Sequence, residues 1–375
     1  MLADSSNITI VQYLKTEDQW YVSDFYCGAF DHAVTILPNG KIAPCCVIKN
    51  GYNKDIAEMH NPDRFGDLKI NNDPCAVCTQ MGPHGYKSFF NKFNKKTIEF
   101  IDFRNSNLCN LKCRTCGPHF SSSWAKELGH NTVIQKINVD EYINSILNSD
   151  IREIYFAGGE PLLNVDHWQL LDRLIELDLA KTVALRYSTN LTILDYKDRR
   201  ATDYWNQFNK VEVQVSMDAT GRAFEYIRSG ADWNLVDNNI TELQHIRNSK
   251  IKPSIAFTLS ILSVWFLLDV LTYAKSKKLP VQIVHLTDPN YFTLNVMPDE
   301  FVDFCVAVIT EAIKFSPAHR ATLNLAIDTV KNNDDQGSFT QLISTILLAD
   351  RIRNENLFDL LPFKDYAIQQ LFKNQ

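Results

Sequence analysis

The chain is 375 residues long, 45% hydrophobic and 22% charged, with a formal net charge of −6. These values fit a globular protein of one large domain with appendages, or of two to three domains, and exclude disorder along the whole chain. The acidic balance argues against nucleic acid as a partner, because such binding rests on cations facing phosphates.

Residues 1–21 read as a lead-in. The opening MLADSSNITIVQYLK has no basic stretch followed by an apolar run, so it is not read as a secretory signal. The longest apolar stretch, 261–268, is interrupted by Ser263 and stopped by Asp269, far short of a membrane span. A cytoplasmic protein with no membrane partner is expected, and cytoplasmic thiols are normally reduced.

Residues 22–96 are rich in Cys, Gly, Pro and Asn and poor in periodic runs, as in a small loop-rich module held by metal. Eight of the nine cysteines fall between residues 27 and 116. Cys75 and Cys78 form C-x2-C, Gly40 and Cys45 form G-x4-C, and Cys27 and Cys46 lie nearby. One reading of this group is a zinc ribbon on Cys45, Cys46, Cys75 and Cys78. The segment HGYKSFFNKFNKK, 84–96, mixes lysines with aromatics. It reads as an amphipathic connector before it reads as a nucleic-acid stacking patch.

From 97 to 290 the pattern changes to short β-rich runs alternating with helical stretches. Strands are expected at 98–103, 153–156, 184–187, 212–216, 254–259 and 282–286. Between them Leu170, Leu171, Leu174 and Leu177 keep helical spacing. Alternation of this kind implies βαβ units and a parallel sheet. Six units make a partial (β/α)6 barrel, not a closed eight-unit one. Residues 291–375 read as a helical extension, with one helix after Pro298 and another over 339–352.

The densest chemical signal is CNLKCRTC, in which Cys109, Cys113 and Cys116 are spaced C-x3-C-x2-C after the first expected core strand. Three thiolates on one loop can hold three irons of a cubane and leave the fourth open, although a three-cysteine zinc site is the alternative. About forty residues on, Gly158, Gly159, Glu160 and Pro161 spell GGEP at the end of the second strand. Ser188 and Asn190 follow the third strand, Ser216 and Asp218 close the fourth, and Arg228 follows in EYIRSG. Turn formation and helix capping are the plain alternatives for these polar residues.

Together the cysteine loop and GGEP resemble the radical S-adenosylmethionine (SAM) superfamily. The resemblance implies a [4Fe–4S] cluster on Cys109, Cys113 and Cys116 whose open iron chelates SAM. It also implies reductive cleavage to a 5′-deoxyadenosyl radical that abstracts hydrogen from a substrate, a peptide or protein in the first reading, with a small-molecule dehydrogenase or a non-catalytic iron–sulfur or zinc protein as the alternatives. Gly158, Gly159, Glu160, Pro161, Ser188, Asn190, Ser216, Asp218 and Arg228 would contact SAM. Many members place an aromatic residue before the third cysteine, where this chain has Thr115.

Cys27, Cys45, Cys75 and Cys78 resemble the ligands of a twitch module, the shortened relative of SPASM, which implies a second, auxiliary [4Fe–4S] cluster. In relatives that module usually follows the core, whereas here it precedes it. The implied partners are a peptide, protein or small-molecule substrate and an electron donor such as flavodoxin or ferredoxin. Tyr155, Tyr187 and Cys46 are candidates to quench a substrate radical. Cys305 lies in an apolar helix and is expected to be a buried hydrophobe.

Overall fold

The structure is a computed structural model, and it describes residues 33–38, 41–45, 54–55, 97–130, 139–246, 250–333, 337–357, 360–362 and 365. Cys27, Cys46, Cys75, Cys78 and the 84–96 segment lie outside the described residues. In chain order the strands are β1 (Ala33–Ile36), β2 (Lys41–Ala43), β3 (Lys54–Asp55), β4 (Phe100–Phe103), β5 (Glu153–Phe156), β6 (Ala184–Thr189), β7 (Asp195–Tyr196), β8 (Arg199–Arg200), β9 (Lys210–Ser216), β10 (Ile251–Leu259) and β11 (Val281–His285). The helices are α1 (Ser122–Glu127), α2 (Val139–Leu147), α3 (Val165–Glu176), α4 (Ala201–Trp205), α5 (Gly221–Ile227), α6 (Trp233–His245), α7 (Leu267–Ser276), α8 (Asp299–Phe315), α9 (Arg320–Lys331) and α10 (Gly337–Arg353).

All six expected core strands are present, as β4, β5, β6, β9, β10 and β11, and the chain is an α/β protein with parallel strand pairing. It divides into two compact units. The first takes the described residues up to Asn107, those within 139–186, and 207–210. The second takes 108–130, 187–206 and the described residues from Val211 onward.

In the first unit β4 pairs parallel with β5, Phe100 opposite Glu153 and Phe103 opposite Phe156. All four residues of β4 are buried. Its other edge pairs parallel with β1, which turns back antiparallel into β2. Strand β3 pairs antiparallel with β2, so the described part of the cysteine-rich segment is three short strands that extend the core sheet. Helix α3 starts at Asn164, whose side chain accepts the Asp166 N–H at 3.1 Å. It buries Trp168, Leu170, Leu171 and Leu174. Leu177, the last of the expected stripe, is the C-cap and is exposed.

In the second unit β9, β10 and β11 pair parallel, Ala256 lying between Ser216 and Gln282. Period-two alternation sets the layers. Val211, Val213 and Val215 are fully buried, while Glu212, Gln214 and Ser216 alternate with them on a partly open polar face. On β10 Phe257 and Leu259 are buried in the same way, and α7 buries Leu267, Val270, Leu271 and Ala274. Cys305 is fully buried on α8, as expected of a small hydrophobe. No helix among the described residues is long and apolar enough to cross a membrane.

Candidate active site

In the second unit the cysteine loop runs from Leu108 into α1. The three serines that open α1 hold its near end. Ser123 Oγ donates to the Cys109 carbonyl at 2.7 Å, and Ser121 Oγ donates to the Leu111 carbonyl at 2.6 Å while capping the helix from Trp124 N–H. Ser122 Oγ accepts the Cys109 N–H at 3.1 Å. The far side of the loop is stitched to the end of α5. Lys112 N–H donates to Ser229 O at 2.8 Å, and Arg114 N–H donates to Ile227 O at 2.7 Å.

Four of the predicted site features meet here. Arg228 is buried, with Nη2 2.9 Å from Asp218 Oδ2 and Nη1 3.8 Å from Cys113 Sγ. The other Asp218 oxygen accepts the Thr258 N–H at 3.1 Å. Asp218 thus holds the arginine against the loop with both of its oxygens engaged. Asn190 Nδ2 donates to Asn110 Oδ1 at 3.0 Å, and Asn110 Nδ2 donates to Thr192 Oγ1 at 2.8 Å, tying the exit of β6 to the residue after Cys109. Thr189 Oγ1 accepts the Leu191 N–H, which is turn chemistry. Ser188 and Ser216 are half-buried at the ends of β6 and β9. Tyr187 is fully buried against Trp205, ring centroids 5.2 Å apart, so it is a core residue and not one placed to meet a substrate radical.

The thiols themselves are half-buried in the loop. Burial pushes the Cys113 thiol above its ordinary range, with the Arg228 charge opposing the shift. Burial and the neighbouring Cys113 push Cys116 up to about 12. Without a metal these groups are thiols at neutral pH, whereas coordination removes the proton outright. Leu111 N–H points at Cys109 Sγ at 3.5 Å. Arg228 Nε is buried with no protein partner. Three cysteine donors in eight residues, an N–H and a guanidinium beside two of the sulfurs, and an unpaired buried donor suit an anionic thiolate cluster with a ligand beside it. Among the described residues no three His, Cys, Asp or Glu side chains converge on a point for one metal ion.

The GGEP turn belongs to the first unit. Gly158 has φ +106°, and a Cβ there would lie 2.7 Å from the Ser106 carbonyl oxygen. Gly159 N–H donates to that same oxygen at 3.0 Å. The close approach that the glycines permit is therefore to the chain leaving β4. Glu160 is buried, and its Oε1 accepts the Leu162 N–H at 3.2 Å, capping a short 3₁₀ turn that Pro161 begins. Tyr155 is half-buried, with the Arg104 guanidinium 5.8 Å from its ring centre. Cys45 is half-buried two residues past β2. Because β2 runs against β1 and β4, Cys45 lies toward the start of β4. Gly158, Gly159 and Glu160 leave β5 at the opposite end of the sheet.

Residues 106–254 match the model of the Radical SAM superfamily. That stretch is similar to a radical SAM domain. Similar curated proteins include a GTP 3′,8-cyclase of Sulfurimonas denitrificans, 21% identical over 200 residues, covering 52% of this chain and 58% of that protein. They also include the mycofactocin maturase MftC of Mycobacterium tuberculosis, 27% identical over 154 residues, covering 40% of this chain and 35% of that protein. The chain thus spans a little over half of the cyclase and about a third of the maturase. Among solved structures, Streptococcus suis SuiB bound to S-adenosylmethionine matches at 15% identity with a TM-score of 0.41, covering 69% of this chain and 57% of that one. A [4Fe–4S] cluster and SAM are the cofactors this family implies for the domain.

The sequence reading missed Arg114, Trp124, Glu127 and Arg353, which surround the cysteine loop. Arg114 is visible inside the motif, but its partner Glu355 lies 241 residues away, and no spacing rule joins them.

Proposed function

We propose that the protein is a radical SAM enzyme that cleaves SAM and abstracts hydrogen from a peptide or protein substrate. The observation that carries this reading is the Cys109, Cys113 and Cys116 loop inside the family match, with Arg228 against Cys113 and Asp218 behind it. When bound, a [4Fe–4S] cluster on these cysteines supplies the electron that splits SAM into methionine and a 5′-deoxyadenosyl radical. The chain's own part is to bind, orient and exclude water. The serines of α1 fix the loop. Arg228, with its spare Nε, offers positive charge to the carboxylate of SAM. Glu160, Ser188, Asn190 and Ser216 are assigned to the amine and ribose, and Gly158, Gly159 and Pro161 to the shape of the turn that carries Glu160.

The arrangement assigned is a partial (β/α)6 core over 97–290, with a helical extension over 291–375. The twitch-like module over 22–96 would hold a second [4Fe–4S] cluster on Cys27, Cys45, Cys75 and Cys78. The position of Cys45 at the end of the sheet away from GGEP suits electron transfer or support by that cluster better than contact with substrate. Flavodoxin or ferredoxin is the class of donor expected. A maturase among the similar proteins favours the peptide reading. The GTP cyclase among them favours the second reading, chemistry on a small molecule. Anaerobic reconstitution tests both cluster assignments. About eight irons per chain is expected, about four removes one cluster, and zinc without iron or sulfide removes the enzyme reading.

A further inference from the structure

Six charged side chains close around residues 112–114, and three of them come from the far end of the chain. The Arg114 guanidinium is buried over the ring of Tyr226, 4.1 Å from its centre. Its Nη2 pairs with Asp350 Oδ1 at 2.6 Å and with Glu355. Tyr226 O–H donates to the same Asp350 oxygen at 2.6 Å, and Ser229 O–H donates to Glu355 at 2.8 Å. On the other side of Cys113, Arg353 pairs with Glu127 at 2.7 Å. Its Nη1 donates to the Lys112 carbonyl at 2.9 Å. It stacks over Trp124, 4.3 Å from the ring centre, and Trp124 Nε1 donates to the Cys113 carbonyl at 2.8 Å. Lys112 Nζ completes the group on Glu127.

Lys112, Arg114 and Arg353 balance Glu127, Asp350 and Glu355, so the set, buried but for the half-buried Lys112 and Glu355, carries no net charge. The segment is itself shaped to make these contacts. Helix α10 ends at Arg353, Asn354 turns left-handed at φ +52°, and Glu355 N–H returns to Asp350 O at 3.0 Å. Leu357 N–H then donates to Asp350 Oδ2 at 2.9 Å, and Leu357 is fully buried. Buried ion pairs add little net stability against an apolar replacement, and their best-attested use is to specify one conformation. Here they grip three consecutive residues around a predicted cluster ligand, by two side chains, two carbonyls and a stacked indole.

We propose that residues 350–357 are a strap that fixes the cysteine loop, and that Arg353 and Asp350 are positioning residues for the cluster on Cys109, Cys113 and Cys116. The second half of this statement rests on the radical SAM reading, and the first half does not. The test uses the full chain as wild type, Arg353→Ala, Arg353→Lys, Asp350→Asn and, as a control on an exposed pair, Lys314→Ala. Hydrogen exchange of the metal-free chains comes first. The Lys112 and Arg114 amides are expected to exchange about tenfold faster or more in Arg353→Ala and Asp350→Asn. The β10 amides stay unchanged, and Arg353→Lys, which keeps the charge, is intermediate. The same chains are then reconstituted anaerobically, and the electron paramagnetic resonance spectrum of the reduced cluster and its bleaching in air are followed. An altered spectrum and several-fold faster bleaching are expected, partly restored by lysine. Unchanged exchange overturns the strap. Faster exchange with an unchanged spectrum and unchanged bleaching overturns the positioning role. Wild type that takes up no iron overturns the radical SAM reading and with it the positioning role, while exchange still decides the strap.

Discussion

Three glycines separate backbone strain from steric exclusion, and the GGEP turn is where both act. Gly117 has an ordinary φ and nothing within 4 Å of a built Cβ. Gly129 is left-handed at φ +71° in open space, and Gly158 combines φ +106° with a Cβ position 2.7 Å from Ser106 O and 3.3 Å from Arg104 Cβ. Gly117→Ala should stay within about 0.5 kcal/mol of wild type. Gly129→Ala should cost about 1 kcal/mol, since left-handed strain of about 1–2 kcal/mol is partly offset by a stiffer unfolded chain. Gly158→Ala adds to that strain a clash with backbone that cannot rotate away, about 1–3 kcal/mol more. The total is about 2–4 kcal/mol, a large share of ordinary stability. Urea unfolding followed by tryptophan fluorescence reads these differences as midpoint shifts at unchanged slope. Each variant is compared in its own transition, because two compact units need not melt together. A Gly158→Ala shift no larger than that of Gly129→Ala would refute the account of the turn.

Asp218→Ala strands the buried Arg228 charge and should cost about 3–5 kcal/mol, with Asp218→Asn costing less; equal and negligible shifts in urea would show that Arg228 does not depend on this carboxylate. Cys305→Ala should lose about 1 kcal/mol from a small core gap and leave iron and sulfide content unchanged, so a fall in iron on reconstitution would contradict its place outside both clusters. Burial alone would raise the Glu127 carboxyl, but hydrogen bonds and charges from Arg353 and Lys112 hold it below its ordinary range. A lowered folded value means that its contribution is fully present above the ordinary carboxylate range, about 4.3, and is lost as pH falls through the lower folded value. Exchange at the Lys112 amide, corrected for intrinsic rate, should then hold steady from pH 8 to pH 5 and loosen only below about pH 4. Loosening near neutral pH would contradict it, and Glu127→Gln should remove the acid limb.

Much of the fold was legible because its signals are local. The strand EIYF and the valines of β9 alternate over four to seven residues, and the expected bounds of β5 coincide with those observed. Strand β1 escaped notice because AVTI is four residues inside a segment dominated by cysteine and glycine, and β4, more than sixty residues on, is what makes it a strand. Helix α9 escaped for another reason. It buries only Leu323, Ala326 and Val330, a stripe too narrow to stand out from its polar neighbours. At the site, the cysteine spacing and GGEP were visible as motifs, and Arg228 and Asp218 as candidates. Their relation was not, since the sequence suggested two SAM contacts and the structure shows the carboxylate spent on holding the guanidinium. The arginine strap was illegible in principle, because its partners lie 226 and 241 residues apart along the chain.

The most direct test of the account is product analysis after anaerobic reconstitution with iron, sulfide, SAM and a low-potential reductant. Wild type should release 5′-deoxyadenosine and methionine, and Cys113→Ala, at the thiol that Arg228 faces, should release neither. Formation of 5′-deoxyadenosine by Cys113→Ala at the wild-type rate, or its absence from iron-loaded wild type, would contradict the central claim.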